Sequence, residues 1–252
     1  MLLLVTAVLL VPVAVPFWRA FGPEARGGGP AGFAGLVLAL AGALGSPQVQ
    51  TWLTNSLLVT SVTVVVSVAV AAPAGYVVSR GRSRSVRGFS LLIFGLQSLP
   101  ILMFTVPLFV LFTSFGLNDT LPGVTVVYVG LSVAVATWMM SSSIDAVPVE
   151  LEEAAWLDGC SVLGGFLRVV LSSARPGVLS AAVYVFLLTW NDYWIALVFL
   201  RSQQNYTIGL ALAGPGSSAV VALVAMLPVL VVFGVLNRYF SVGGIGGALT
   251  GR

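Results

Sequence analysis

Histidine is absent from the 252 residues and so is lysine; all eleven basic residues are arginine. Without histidine there is no imidazole base, no histidine metal ligand and none of the commonest proton-relay side chain. Without lysine the chain cannot carry Gly-x-x-x-x-Gly-Lys-Ser/Thr, so a P-loop ATP site is excluded. The one cysteine, Cys160, can form no internal disulfide, and no zinc-ligand spacing exists, so it reads as a small filler side chain. Charge is scarce, at 8% of residues, where soluble domains carry about 25%. What is present instead is apolar, at 58%. Only a bilayer accommodates that balance, and the runs are continuously apolar where the strands of a membrane barrel would alternate. The chain therefore reads as an all-α integral membrane protein. Its net charge of +3 does not indicate nucleic acid, because the arginines flank apolar spans.

Six spans can be read in order. Residues 1–18 form the first; no basic residue precedes Arg19 and the run ends in Pro16-Phe17-Trp18, so it is read as an uncleaved helix with an aromatic anchor. Residues 19–51 are read as an extracytoplasmic loop. Within it 31–45 are apolar but short of the roughly 20 residues a span needs, which suggests a surface or re-entrant segment on the outer side. The second span is 52–79 and the third 86–112, broken by Pro100 and Pro107; the fourth is 121–141, the fifth 177–200 and the sixth 217–240. These five, with the loop 148–172, make up a core over 52–240, and 241–252 form a glycine-rich tail. With both termini inside, eight arginines (80, 82, 84, 87, 168, 175, 238 and 252) face the cytoplasm and three (19, 26 and 201) face out. That split satisfies the positive-inside rule.

The loop 148–172 holds four of the eight acidic residues within its first eleven positions: Glu150, Glu152, Glu153 and Asp158. Pro148 suits a helix start, and the glutamates suit the positive end of the helix dipole. Ala154 and Ala155 favour helix and let a partner approach the backbone. Gly159 suits a left-handed helix stop. Ser161 can cap a second helix carrying Leu163, Phe166, Leu167 and Val170. This helix–turn–helix is too short and too charged to span a bilayer.

The spacing Glu153-Ala154-Ala155, three residues, Gly159, nine residues, Val169, one residue, Leu171 resembles the EAA loop of bacterial ABC importer permeases. It departs from that pattern at Val169, where isoleucine is usual, and at Ser172, which stands in the proline place; Pro176 follows one turn later. The stretch from Val147 to Gly159 resembles the carbohydrate, MalG-like branch. So do Asn55-Ser56 at the second span, Trp190-Asn191-Asp192 in the fifth, and the glycine-rich tail. That family usually has a basic tail before the first helix, and none is present here, which suggests that the start could lie upstream of Met1. The resemblance implies a type I, MetI-like permease fold with six transmembrane helices and a cytoplasmic coupling helix, in the bacterial cytoplasmic (inner) membrane. It implies that Glu150, Glu152, Glu153, Ala154, Ala155, Asp158 and Gly159 couple to an ATPase. The partners it implies are a second homologous permease subunit, a cytoplasmic ATP-binding subunit dimer, an extracytoplasmic solute-binding protein and membrane lipid. ATP and magnesium would belong to the ATPase; this chain would be no enzyme and hold no cofactor. The mechanism implied is alternating access.

Inside the spans ionisable groups are costly, by about 2.5–3.5 kcal/mol for an aspartate on insertion scales. Asp192 is the one carboxylate well inside a span. With Asn191, Trp190 and Tyr193 it either lines a solute path, where hydrogen bonds and ring stacking suit a sugar, or holds helices together. Gln97, before Pro100, is a further path candidate, because a proline frees backbone groups that need a wet or protein-lined cavity. Three rivals to a sugar importer stand beside it. One is an ABC permease for another solute, such as glycerol phosphate or polyamine. Another is an ion-coupled secondary transporter, for which a single aspartate without histidine or lysine is poor equipment. The last is a non-transport membrane scaffold.

Overall fold

Among the described residues every regular element is helical. The computed structural model describes residues 33–98, 100–214 and 218–240; the expected first span over 1–18, the loop over 19–32 and the tail over 241–252 lie outside them. Helix α1 is Phe33–Gly45, α2 Pro47–Arg80, α3 Arg84–Gln97, α4 Ile101–Ser114 and α5 Leu121–Asp145. The acidic loop forms α6, Val149–Leu157, and α7, Val162–Ser173, the latter with a π-helical turn over Phe166–Val170. Then come α8, Arg175–Trp190; α9, Trp194–Phe199; α10, Ile208–Leu212; and α11, Ala219–Phe240.

The axis of the molecule is the pair α2 and α5. Small residues recur every four positions on both: Ser67, Ala71 and Gly75 on α2, and Ser132 and Ala136 before Met140 on α5, all buried. Apolar surface gains nothing by leaving lipid, so helices associate where small side chains let backbones close up and hydroxyls pair. Both happen here. The Ser67 and Ser132 hydroxyls lie 2.7 Å apart, and a Cβ added at Gly75 would stand 2.7 Å from Met140 Cβ and 2.9 Å from the Ser141 nitrogen. Helix α8 packs across this pair, burying Ala181 and Val185 against Ala71, Ala136 and Met140. A second apolar cluster joins α4, α5 and α9 through Phe112, Tyr128 and Phe199, and a third joins α2, α8 and α11 through Val49, Trp190 and Val224.

Two helices, Pro47–Arg80 and Leu121–Asp145, are long and apolar enough to cross a membrane alone. Val162–Ser173 with Arg175–Trp190 passes only as a pair bent by 77°, and Met103–Ser114 and Ala219–Val235 are shorter apolar helices. The third expected span, 86–112, is two helices parted at Pro100; Pro107, expected to break it too, lies inside α4. The fifth, 177–200, is not continuous, because it stops at Trp190 and restarts at Trp194. At that break Asn191 donates its side-chain amide to the Leu187 carbonyl (2.9 Å), and Asp192 Oδ2 accepts from the amides of Ile195 (3.0 Å) and Ala196 (3.2 Å). Side chains thus satisfy the helix-end groups that a break exposes. The apolar segment expected at the outer surface is α1, whose Leu40 and Ala43 pack on the cluster containing Val221 and Ala225.

Candidate functional site

The acidic loop is built by local signals. Pro148 stands at the cap position, and the helix it begins carries Glu150 and Glu152 in its first turn. The stop is a Schellman motif: the Cys160 amide donates to the Ala155 carbonyl (2.9 Å), and the Gly159 amide to the Trp156 carbonyl (3.0 Å). Gly159 has φ of +87°, a conformation only glycine takes at little cost. Ser161 then accepts from the Gly164 amide (3.1 Å) and caps α7.

The nine-residue helix has two faces. Glu152 and Ala155 point inward and are buried, with Glu152 only 1% exposed. Glu152 Oε1 meets Arg80 Nε at 2.7 Å and Nη2 at 2.6 Å, and Oε2 accepts from the Tyr76 hydroxyl at 2.9 Å. Arg80 Nη2 also donates to the Val147 carbonyl at 2.8 Å. Phe166 of α7 packs on the Tyr76 ring, with centroids 4.9 Å apart. The opposite face presents Glu150, Glu153, Ala154 and Leu157, spaced three and four residues apart, with Asp158 and Gly159 at its end, all exposed. Leu157 is 90% exposed, and Val162 and Leu163 of α7 are exposed as well. The surface offered outward combines exposed carboxylates with exposed apolar side chains. Of the seven expected coupling residues, Glu150, Glu153, Ala154, Asp158 and Gly159 therefore lie on the outer surface, while Glu152 and Ala155 anchor the helix from within. The sequence reading missed Tyr76 and Arg80, which are 76 and 72 residues from Glu152, and it missed Leu157. Arg80 carried a signal only as one of the arginines after the second span.

Four of the five path candidates meet at the α8–α9 break. Trp190 is buried; its indole donates to the Ala225 carbonyl of α11 (3.1 Å) and its ring stacks on Phe186 (5.6 Å). Asp192 accepts, besides its two amides, the hydroxyl of the fully buried Tyr128 at 2.8 Å. Tyr193 packs edge-on against Trp194 (5.2 Å). Asn191 is exposed and borders a cleft of about 480 Å³ between α8, α10 and α11, whose other walls include Ile208, Gly209, Leu212 and Met226. Gln97 stands apart, exposed at the end of α3.

The far end of the bundle has its own polar assembly. Asn55 donates to the carbonyls of Gln204 (2.8 Å) and Tyr206 (3.0 Å), Trp52 to that of Gln203 (3.1 Å), and Ser56 accepts from the Ile208 amide (2.7 Å). Asp119, at φ of +56°, accepts from the Arg201 and Ser202 amides (2.8 and 2.9 Å) and from the Ser202 hydroxyl. Burial pushes this carboxyl up, but the hydrogen bonds from Ser202, Arg201 and Asn205 outweigh it and bring it down to about 2.

Known proteins share this architecture. The profile of the family described as "Binding-protein-dependent transport system inner membrane component" matches residues 67–242. The trehalose transport system permease protein SugB of Mycobacterium tuberculosis is 31% identical over 212 residues, covering 79% of this chain and 76% of that protein. The maltodextrin transport system permease protein MdxG of Bacillus subtilis is 30% identical over 213 residues, covering 79% of this chain and 75% of its own. A crystal structure of a bacterial ABC transporter involved in the import of the acidic polysaccharide alginate shares the fold, with a TM-score of 0.74 at 22% identity over 95% of this chain and 94% of that one.

Proposed function

Because the chain belongs to the family of binding-protein-dependent transport system inner membrane components, we propose that it is one of two permease subunits of an ATP-driven importer for a sugar or sugar-like solute. The observation that carries this reading is the two-faced hairpin of α6 and α7. Its inner face is fastened to the bundle, and its outer face offers Glu150, Glu153 and Asp158 around the protruding Leu157. A helix of nine residues is too short to hold its shape alone in water, so one fixed on one side and bare on the other suits a cytoplasmic ATPase partner. The sugar class is supported by the trehalose and maltodextrin permeases among its relatives. In this reading both termini are cytoplasmic and the spans number six: residues 1–18, α2, the α3–α4 pair, α5, α8 with α9, and α11. A second permease subunit completes the path, a solute-binding protein delivers the solute outside, and alternating access follows nucleotide-driven movement of the hairpin. Asn191, exposed and bordering the cleft, is the path candidate this reading favours.

The test is substitution of the outer face. Glu153→Lys reverses a charge that would be seated against a partner. Gly159→Val forces a β-branched residue into a left-handed conformation, at a cost of about 1–3 kcal/mol. Both are expected to leave membrane insertion intact while abolishing uptake and reducing the ATPase that co-purifies with the chain. Normal uptake and normal co-purification in both variants would overturn the reading.

A further inference from the structure

We propose that Glu152, Arg80 and Tyr76 form a strut that makes α2 the rod through which movement of the acidic hairpin reaches the outer loop at 203–208. This inference rests on the importer reading above.

Tyr76 and Arg80 are one helical turn apart on the last turns of α2, so both side chains leave the same face. Between them they hold every part of the hairpin: α6 through Glu152, the lead-in through the Val147 carbonyl, and α7 through the ring of Phe166. Among the described residues the other hydrogen bonds given for the hairpin stay within it, and Val170 joins the bundle through the apolar cluster it shares with Ile144 and Met140. Apolar contacts are non-directional and tolerate sliding. A buried carboxylate held by a guanidinium and a hydroxyl does not, because separating the pair leaves a charge without a partner in a dry site. Displacement of α6 is therefore resisted at Glu152 more than anywhere else on the hairpin, and the load passes to α2.

That helix is continuous for 34 residues from Pro47 to Arg80, although Pro73 inside it removes one backbone hydrogen bond. Its opposite end carries Trp52, Asn55 and Ser56, which hold the backbone of 203–208. From Asn55 to Arg80 the rise is about 38 Å at 1.5 Å per residue. One continuous helix therefore has the hairpin fixed at one end and the outer loop at the other. The residues of the strut are positioning residues: on this view the ATPase is touched by Glu150, Glu153 and Leu157, and Glu152 conveys what happens there.

The experiment uses the complete complex purified through a tag on this chain and reconstituted in proteoliposomes. In a Cys160→Ser background, Gln203→Cys reports on the outer loop through its labelling rate with a membrane-impermeant maleimide, with and without magnesium ATP and vanadate. With Glu152 intact, trapping nucleotide is expected to change the labelling rate several-fold. In Glu152→Gln, which keeps size and shape but removes the charge, that change is expected to disappear while ATPase co-purification and ATP hydrolysis persist. Tyr76→Phe, which removes one hydroxyl, is expected to weaken it, and the exchanged pair Arg80→Glu with Glu152→Arg to restore part of it. A full nucleotide-dependent change in both Glu152→Gln and Tyr76→Phe would overturn the strut, as would its absence when Glu152 is intact and the ATPase is bound. Failure of any ATPase to co-purify with the otherwise unaltered chain would instead strike at the importer reading itself.

Discussion

A carboxylate inside a span needs a reason, and Asp192 has three donors: the Tyr128 hydroxyl and the amides of Ile195 and Ala196. Those bonds support the view that it joins α5 to the start of α9. Asp192→Ala would leave the buried Tyr128 hydroxyl unpaired, at a cost of about 1–3 kcal/mol. Thermal unfolding in detergent is expected to show that loss. Tyr128→Phe in the same background should add little further, since the two groups share one interaction. Uptake per assembled complex should stay near that of the unaltered protein; full stability with lost uptake would return Asp192 to the solute path. Asp119, in the loop outside the spans, makes a pH-dependent contribution. Its carboxyl titrates at about 2 when folded and near 3.8 ordinarily. The folded state therefore gains from its ionised form above the ordinary value, and that gain is lost as pH falls from about 3.8 through about 2. Asp119→Asn is expected to be less stable at pH 7, with the gap closing by pH 2; melting curves that stay parallel across that window would refute it.

At the scale of the element, close approach governs the α2–α5 seam. Gly75→Ala would place its Cβ 2.7 Å from Met140 Cβ and 2.9 Å from the Ser141 nitrogen. Overpacking of this kind costs about 1–3 kcal/mol. Gly130→Ala, on the same α5 but with nothing within 4 Å of the added atom, is the control and should hold or gain stability, because alanine favours helix over glycine. Equal melting temperatures for the two variants would show that the seam can spread without cost. The elements also differ in how far they could be read from sequence. The hairpin was legible because its signals are local: Pro148, Gly159 and Ser161 act on amides within a few residues of themselves. The division of the third span was legible from Pro100. The break at 191–193 was not, because no proline or glycine marks it. Its cause is a pair of polar side chains capping helix ends inside an apolar run, and the other partner of Asp192 lies on a different helix.

At the scale of the molecule, the two ends of the bundle carry different polar assemblies. One end gathers Arg80, Val147 and the acidic hairpin; the other gathers Asp119, Asn55 and the 201–207 loop. In a Cys160→Ser background, Ser83→Cys and Gln203→Cys are expected to label from opposite sides of the membrane in intact cells, Gln203→Cys from outside. Labelling of both from outside would end the proposed topology. The two long spans, α2 and α5, could be read from composition because bilayer thickness sets run length. Which face of each helix is buried could not, because the spans are apolar all round and periodicity then carries no direction. The Arg80–Glu152 pair escaped for a related reason: each residue reads locally as a solvated charge, and only tertiary packing joins them.

The outer loop is gripped by its main chain. Trp52 and Asn55 hold carbonyls of Gln203, Gln204 and Tyr206, while Ser56 and Asp119 hold amides of Ile208, Arg201 and Ser202. Carbonyls and amides are the same in every non-proline residue. Beside these main-chain holds, Ser202 and Asn205 bind Asp119 through their side chains and Gln203 accepts from the Gln48 amide at 3.4 Å, so position 204, exposed and held through its carbonyl, is the one most open to replacement without a change of shape. A permease built this way could exchange what it displays to its surroundings by single substitutions while the frame beneath stays as it is, which makes this loop the natural place for variation between paralogues and for engineered diversity.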